Sequence, residues 1–338
     1  MALDAVSWLD GDDPAIGFID QRALPGELVR ARAGRVDEVV HAIETLAVRG
    51  APAIGVFAAY GVALARLTHA DDGAYREAVA RVRAARPTAV NLAWAVDRML
   101  AAGGTLAEAR AIHAEQRAVD LALGRHGAEV MPVRGAVLTH CNTGPLATAG
   151  LGSALGVIVA AHDAGKQLHV YVDETRPLLQ GARLTTYELA EAGVPATLIA
   201  DGAAAATMRL KNVAAVIVGA DRIATNGDAA NKIGTYGVAV AAAHHGIPLY
   251  VAAPRSTIDF TLRDGSGIVI EERPASELRH VGGVATAPAE VDVFNPAFDV
   301  TPGRLIAGII TEYGIARPPY DESIPDLATR PSFAFILS

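Results

Sequence analysis

The sequence predicts an α/β protein: a mostly helical N-terminal domain with a small antiparallel sheet, followed by a domain built on a parallel sheet. From Val36 to about Gly124 the apolar residues recur mostly at helical spacing, as in Val39, Val40, Ile43, Leu46 and Ala47, and extended β-branched runs are scarce. After Met131-Pro132 the texture changes. Short apolar runs at Ala136–Thr139, Leu168–Val172, Ala196–Ile199, Ala215–Val218 and Pro248–Ala252 alternate with segments long enough for crossover helices. This is the βαβ rhythm of a parallel sheet. Gly193-Val194-Pro195 and Gly246-Ile247-Pro248 fall where a helix should stop and the next strand begin. The expected boundaries are 1–130 for the helical domain and 131–338 for a Rossmann-like α/β domain.

Taken in order, Ile19-Asp20-Gln21-Arg22-Ala23-Leu24-Pro25 and Val29-Arg30 read as short extended pieces of the small sheet. The helical stretch follows, then the alternating strands. The alanine run Ala203–Ala206 is expected to start a helix, alanine being the best helix former. No internal repeat and no low-complexity tail interrupts this plan.

A chain of 338 residues that is 51% hydrophobic and 20% charged can fill two cores. A net charge of −8 argues against nucleic acid or an anionic membrane as the main partner, while a local basic pocket can still take a small anion. The one cysteine, Cys141, has no internal disulfide partner, which fits a reducing compartment. The histidines show no zinc-type spacing, so no metal is expected. The start Met1-Ala2-Leu3-Asp4 lacks the basic region of a secretory signal, and no long apolar run carries membrane-like flanks. The expected location is the cytoplasm.

In open α/β sheets, ligands bind beyond the carboxyl ends of the strands. Three polar segments stand there. His140-Cys141-Asn142-Thr143-Gly144-Pro145 follows Val137-Leu138-Thr139 and precedes a glycine- and alanine-rich helix. Near a helix N-terminus the peptide dipoles favour a thiolate, making Cys141 a candidate base or nucleophile; a buried structural cysteine is the other reading. Asp221 ends the second run beside Arg222, as a candidate general acid or base, or else half of a surface ion pair or a helix cap. Asn226-Gly227-Asp228 then supplies a turn and Asn231-Lys232 is expected to open a helix, bringing amide and ammonium donors to the same crevice. The third segment is Asp173-Glu174-Thr175-Arg176-Pro177, followed by Gln180-Gly181 and Arg183. Gln180 can donate to and accept from sugar hydroxyls, whereas Asp173 and Glu174 read equally well as an ion-pair network.

The helical domain offers Arg49-Gly50-Ala51-Pro52-Ala53-Ile54-Gly55, in which glycine allows close backbone approach and arginine presents a planar fork to phosphate oxygens. Arg86, before Pro87-Thr88-Ala89-Val90-Asn91, is a second candidate clamp, although lone arginines are usually solvated surface. No dinucleotide or ATP phosphate loop follows the relevant strands, so no cofactor is expected.

Together and in this order, these motifs resemble the methylthioribose-1-phosphate isomerase family, which also includes the regulatory subunits of a eukaryotic translation-initiation exchange factor. The resemblance spans nearly the whole chain. Its shared blocks are Arg49 to Gly55, His140 to Gly144, Asp173 to Pro177, Gly219-Ala220-Asp221-Arg222-Ile223 and Asn231-Lys232-Ile233-Gly234-Thr235-Tyr236. Narrower resemblance to the methylthioribose branch comes from Ile270-Glu271-Glu272-Arg273, from Phe294 to Pro302, from Ile309-Ile310-Thr311-Glu312 and from Pro318-Pro319-Tyr320.

The resemblance implies a cofactor-free aldose-ketose isomerase of methionine salvage, a homodimer acting on 5-methylthioribose 1-phosphate. By position, Asp221 matches the catalytic acid and Cys141 the catalytic cysteine, while Arg49, Gly50, Ala51, Arg86, Gln180, Asn231 and Lys232 match substrate-binding positions. One departure is Asp201-Gly202-Ala203-Ala204, where the methylthioribose enzymes usually carry asparagine after the aspartate and then a bulkier residue. This leaves the 5-substituent open: 5-deoxyribose 1-phosphate or ribose 1,5-bisphosphate are alternatives. A non-catalytic sugar-phosphate or nucleotide sensor is the alternative of a different class, and it need not retain Cys141 and Asp221 together.

Overall fold

The computed structural model describes residues 3–87 and 89–331, so Thr88 of the Arg86 loop lies outside the described residues. The chain forms two units. One comprises the chain up to Ala122 together with Thr143–Gly156; the other comprises Leu123–Asn142 and Val157–Arg330.

In the first unit β1 (Val6–Leu9), β2 (Ala15–Ile19) and β3 (Arg30–Ala33) form an antiparallel sheet in the order β1-β2-β3. The sheet is the expected one, but its strands are displaced from the expected pieces. Of those pieces only Ile19 and Arg30 are in strands. The polar run after Ile19 turns instead, because the Asp20 carboxylate accepts the Arg22 amide at 3.0 Å and its guanidinium as well.

Four helices follow: α1 (Val36–Glu44), α2 (Ala51–Thr68), α3 (Asp72–Ala84) and α4 (Val90–Ala101). In α1 the residues Val36, Val39, Val40 and Ile43 make one buried stripe. Asp71 caps α3 by accepting the Ala74 amide at 2.8 Å. α2 is the core helix, buried continuously from Ala53 to Ala65. Among the described helices it is the one long and apolar enough to cross a membrane, yet 72% of it is buried in the fold, which explains why it is apolar all round. Phe57 and Leu64 on α2 and Leu92 and Met99 on α4 are fully buried, and truncating such a side chain costs about 2–5 kcal/mol. α5 (Leu106–Val130) leads on.

The remaining elements are β4 (Arg134–Thr139), α6 (Pro145–Thr148), α7 (Ala154–Asp163), β5 (Gln167–Asp173), α8 (Thr186–Glu191), β6 (Ala196–Ile199), α9 (Ala204–Leu210) and β7 (Val213–Val218). After them come β8 (Arg222–Ile223), β9 (Ala229–Lys232), α10 (Thr235–His244), β10 (Leu249–Ala252), β11 (His280–Val281), β12 (Val284–Ala285), β13 (Phe298–Thr301), β14 (Gly308–Thr311) and β15 (Gly314–Ala316). The main sheet has the order β15-β14-β10-β7-β4-β5-β6. Every neighbour pair is parallel except β14 with β15. The chain therefore winds outward from β4 in both directions, the doubly wound Rossmann-like arrangement. The five expected strands coincide with β4, β5, β6, β7 and β10. In β4, β7 and β10 the side chains are buried in runs, as Val216, Ile217 and Val218 are, because both faces of a parallel sheet are covered there, whereas β6 at the sheet's edge is largely exposed.

One expectation is corrected. Asn231 and Lys232 do not open a helix; they end β9, which pairs with β8 on one side and β13 on the other. The helix begins at Thr235, where Asp299 accepts the amides of Gly234 at 2.8 Å and Tyr236 at 3.1 Å.

Candidate active site

β4 and β7 are neighbours in the sheet, with Leu138 opposite Val216, and the Thr139 hydroxyl donates to the Ile217 carbonyl at 2.8 Å. The chain turns one way after β4 and the other way after β7, so the switch point of the sheet lies between them. Cys141 and Asp221 sit just beyond the carboxyl ends of these two strands.

Cys141 is 7% exposed and is held through its backbone. Its amide donates to the Thr175 hydroxyl at 2.9 Å, and its carbonyl accepts from the Thr185 hydroxyl at 2.6 Å. Its φ is 64°, and Thr175 and Leu179, in the segment that follows β5, are also left-handed, at 64° and 57°. Non-glycine residues in this region carry strain of about 1–3 kcal/mol, which collects at ligand sites. The helix after the Cys141 loop, α6, is a single turn, too short to supply the macrodipole that the sequence suggested.

Asp221 is partly buried, and its amide donates to the Ala230 carbonyl at 2.8 Å, which ties the end of β7 to β9 one residue before Asn231. The Arg222 guanidinium lies 3.7 Å from the Asp259 carboxylate. Asn231 is 3% exposed and donates to the Thr235 hydroxyl at 3.0 Å. The Lys232 ammonium donates to the Ala297 carbonyl at 2.8 Å and lies 4.5 Å from the Phe298 ring centroid. Gln180 is 5% exposed, and its Oε1 has no hydrogen-bond partner among the described residues. It immediately precedes a π-helical turn, Gly181–Thr185, an irregularity frequent at functional sites. An orphaned buried acceptor there is suited to a hydroxyl from a ligand.

The other sequence candidates belong to the first unit. Gly50 is the N-cap of α2, with φ at 96° and Pro52 in the first helical turn, and Arg49 and Ala51 flank it. A Cβ on Gly50 would stand 2.3 Å from the Ala147 carbonyl oxygen, so only glycine fits. Arg86 is partly buried, ahead of α4.

The sequence names His140 and Asp173 within the strand-end segments and Asp201 within a departure from the family pattern, and assigns none of the three a site role. His140 and Asp173 are 1% and 0% exposed, and the His140 Nδ1 lies 3.0 Å from an Asp173 oxygen. The two Asp201 oxygens accept the amides of Thr175 and Arg176, each at 2.7 Å. Burial pushes the Asp173 carboxyl above the usual range. Burial alone would lower His140, but the hydrogen bond and charge of Asp173 outweigh it and His140 is raised. The two directions agree: the pair keeps a shared proton. Adjacent parallel strands ending in His and Asp were the available signal.

Comparison with known proteins matches residues 47–318 to the initiation factor 2 subunit family. The chain is 50% identical to methylthioribose-1-phosphate isomerase of Heliobacterium modesticaldum, over 96% of this chain and 99% of the relative. It is 52% identical to 5-deoxyribose 1-phosphate isomerase of Moorella thermoacetica, over 94% and 95%. Among solved structures, 5-methylthioribose 1-phosphate isomerase of Pyrococcus horikoshii superposes with a TM-score of 0.89 at 40% identity, covering 100% of this chain and 97% of that one. The delta subunit of translation initiation factor eIF-2B from A. fulgidus gives 0.88 at 42%, covering 97% and 100%.

Proposed function

The chain belongs to the initiation factor 2 subunit family, and from that premise we propose that it is an isomerase interconverting 5-methylthioribose 1-phosphate and 5-methylthioribulose 1-phosphate, a step of methionine salvage. The observation that carries the reading is the placement of Cys141 and Asp221 beyond adjacent strands on either side of the sheet's switch point. High identity over almost the full length to a relative bearing that name supports it. A sensing subunit has no need of a cysteine and a carboxyl group at that point.

An aldose 1-phosphate is locked as a ring by its anomeric phosphate, so the enzyme must open the ring itself. Asp221 in its acid form protonates the ring oxygen as the bond from C1 to that oxygen breaks. C2 loses a hydrogen and C1 gains one, and the C2 hydroxyl proton returns the Asp221 carboxylate to its acid form as the carbonyl forms. Substrate and product have the same composition, so no external oxidant takes part. In an enediol route Cys141 removes the C2 proton; in a hydride shift it polarises the site. A deuterium on C2 washes out into water in the first route and is retained on C1 in the second. Gln180, Asn231 and Lys232 bind hydroxyl and phosphate oxygens, and Arg49, Gly50, Ala51 and Arg86 are proposed as anion-binding residues of the first unit.

The working form is a homodimer in the cytoplasm. Val269 and Phe294, 80% and 77% exposed, are apolar side chains of the kind a subunit interface covers.

The Moorella relative supports 5-deoxyribose 1-phosphate as a second substrate reading. Incubation with 5-methylthioribose 1-phosphate, 5-deoxyribose 1-phosphate and ribose 1,5-bisphosphate, followed by carbon NMR, separates these. Conversion of the first supports the proposal, conversion of another alone reassigns the substrate, and conversion of none overturns the enzyme.

A further inference from the structure

We propose that His140 and Asp173 are positioning residues that hold the three segments carrying Cys141, Gln180 and Asn231 in one arrangement. The kinetic test of this inference rests on the isomerase reading; its geometry does not. His140 directly precedes Cys141 at the end of β4, and Asp173 is the last residue of β5, from which the chain runs through Thr175 to Gln180. The His140 Nδ1 lies 3.0 Å from Asp173 Oδ2, and Nε2 lies 2.8 Å from the carbonyl oxygen of Ile233, which closely follows Asn231. The ring thus spans all three segments. It is also clamped sterically: a Cβ on Gly234 would stand 2.8 Å from the His140 Cε1.

The contacts fix where the protons are. A carbonyl oxygen only accepts, so Nε2 carries a hydrogen and donates to Ile233. Nδ1 then faces a carboxyl oxygen, and the bond forms either as imidazolium donating to carboxylate or as carboxylic acid donating to neutral imidazole. Both forms hold the same number of protons. Removing that proton sets two lone pairs against each other and breaks one of the two links. Asp201 and Glu174, beside the pair, favour retention of the proton, and Asp299 of β13, whose carboxylate receives the first amides of α10, is the further carboxylate that feels the charge of His140. Both groups being raised, the link is intact at low pH and is lost as pH rises through the pair's shared titration.

The test compares Asp173→Asn with Asp173→Ala. The asparagine amide donates to neutral Nδ1 and does not titrate; alanine removes the link. The expected result is a fall in kcat of about 10²-fold in Asp173→Ala with KM little changed, against less than about tenfold in Asp173→Asn. The alkaline limb of the wild-type kcat profile moves to higher pH or vanishes in Asp173→Asn, which a purely structural role would not produce. A second readout needs no substrate: the rate of Cys141 alkylation by iodoacetamide rises in Asp173→Ala and stays near wild type in Asp173→Asn. An alanine variant with wild-type kcat and alkylation rate overturns the proposal, as does an asparagine variant as impaired as the alanine one. Failure of the isomerase reading would show separately, as a wild-type protein without turnover, and leaves the alkylation comparison standing.

Discussion

Cys141 and Thr175 are locked together at the ends of adjacent strands: the Cys141 amide donates to the Thr175 hydroxyl at 2.9 Å, and both residues hold φ at 64°. The Thr175 hydroxyl donates in turn to the Asp173 carbonyl at 3.0 Å. Thr175→Val keeps the shape and the strain but leaves a buried amide without an acceptor. Denaturant unfolding should show a loss of about 1–3 kcal/mol, accompanied by a lower kcat. An unchanged midpoint and rate would show that the bond contributes nothing.

Gly50→Ala tests the tightest backbone approach in the first unit. The added Cβ meets the Ala147 carbonyl at 2.3 Å from a backbone with φ of 96°. A loss of more than about 1 kcal/mol is expected, read as a lower melting temperature. A melt equal to wild type would mean that the loop yields freely.

Gln180→Met removes the orphaned buried Oε1 while keeping the volume. In the ligand-free protein an unsatisfied acceptor costs about 1–3 kcal/mol, so the variant should melt at or above the wild-type temperature. Its KM should rise about two- to tenfold through the lost substrate hydrogen bond. A lower melting temperature with unchanged KM would assign Gln180 to the scaffold instead.

Asp120 gives a pH-linked prediction. It is 1% exposed, and its Oδ2 accepts from the Thr148 hydroxyl at 2.6 Å and from the amides of Leu151 and Gly152 at 2.8 and 3.0 Å. Burial still pushes its carboxyl from 3.8 up to about 6. The folded value lies above the unfolded one, so this contribution to stability is full below about pH 3.8 and is lost as pH rises through about 6. The stability of wild type minus that of Asp120→Asn should therefore grow by roughly 2 kcal/mol between pH 6 and pH 4. A flat difference would contradict the raised value.

The parts of this structure that could be read in the sequence are those set by local pattern. β7 is legible because Ala215 to Val218 form an apolar run buried on both faces. The Gly50 N-cap is legible because glycine followed by Ala51-Pro52 suits a helix start. The end of β9 was not legible, because its partner strand β13 lies far along the chain and Asp299, which receives the first amides of α10, comes from that same distant segment. His140 and Asp173 are 33 residues apart and meet only once β4 and β5 pair. Ile19 reads as the start of a strand but is the last residue of β2, since the polar residues after it fold back on Asp20.

Turnover of 5-methylthioribose 1-phosphate by wild type and by Asp221→Asn, measured beside thermal unfolding of both, tests the central claim most directly. An amide cannot protonate the ring oxygen, and a proton-transfer group contributes about 10²–10⁴-fold. The wild type should convert the substrate, and the variant should lose at least about 10²-fold in kcat while melting at the same temperature. Near-normal turnover by Asp221→Asn would contradict the account.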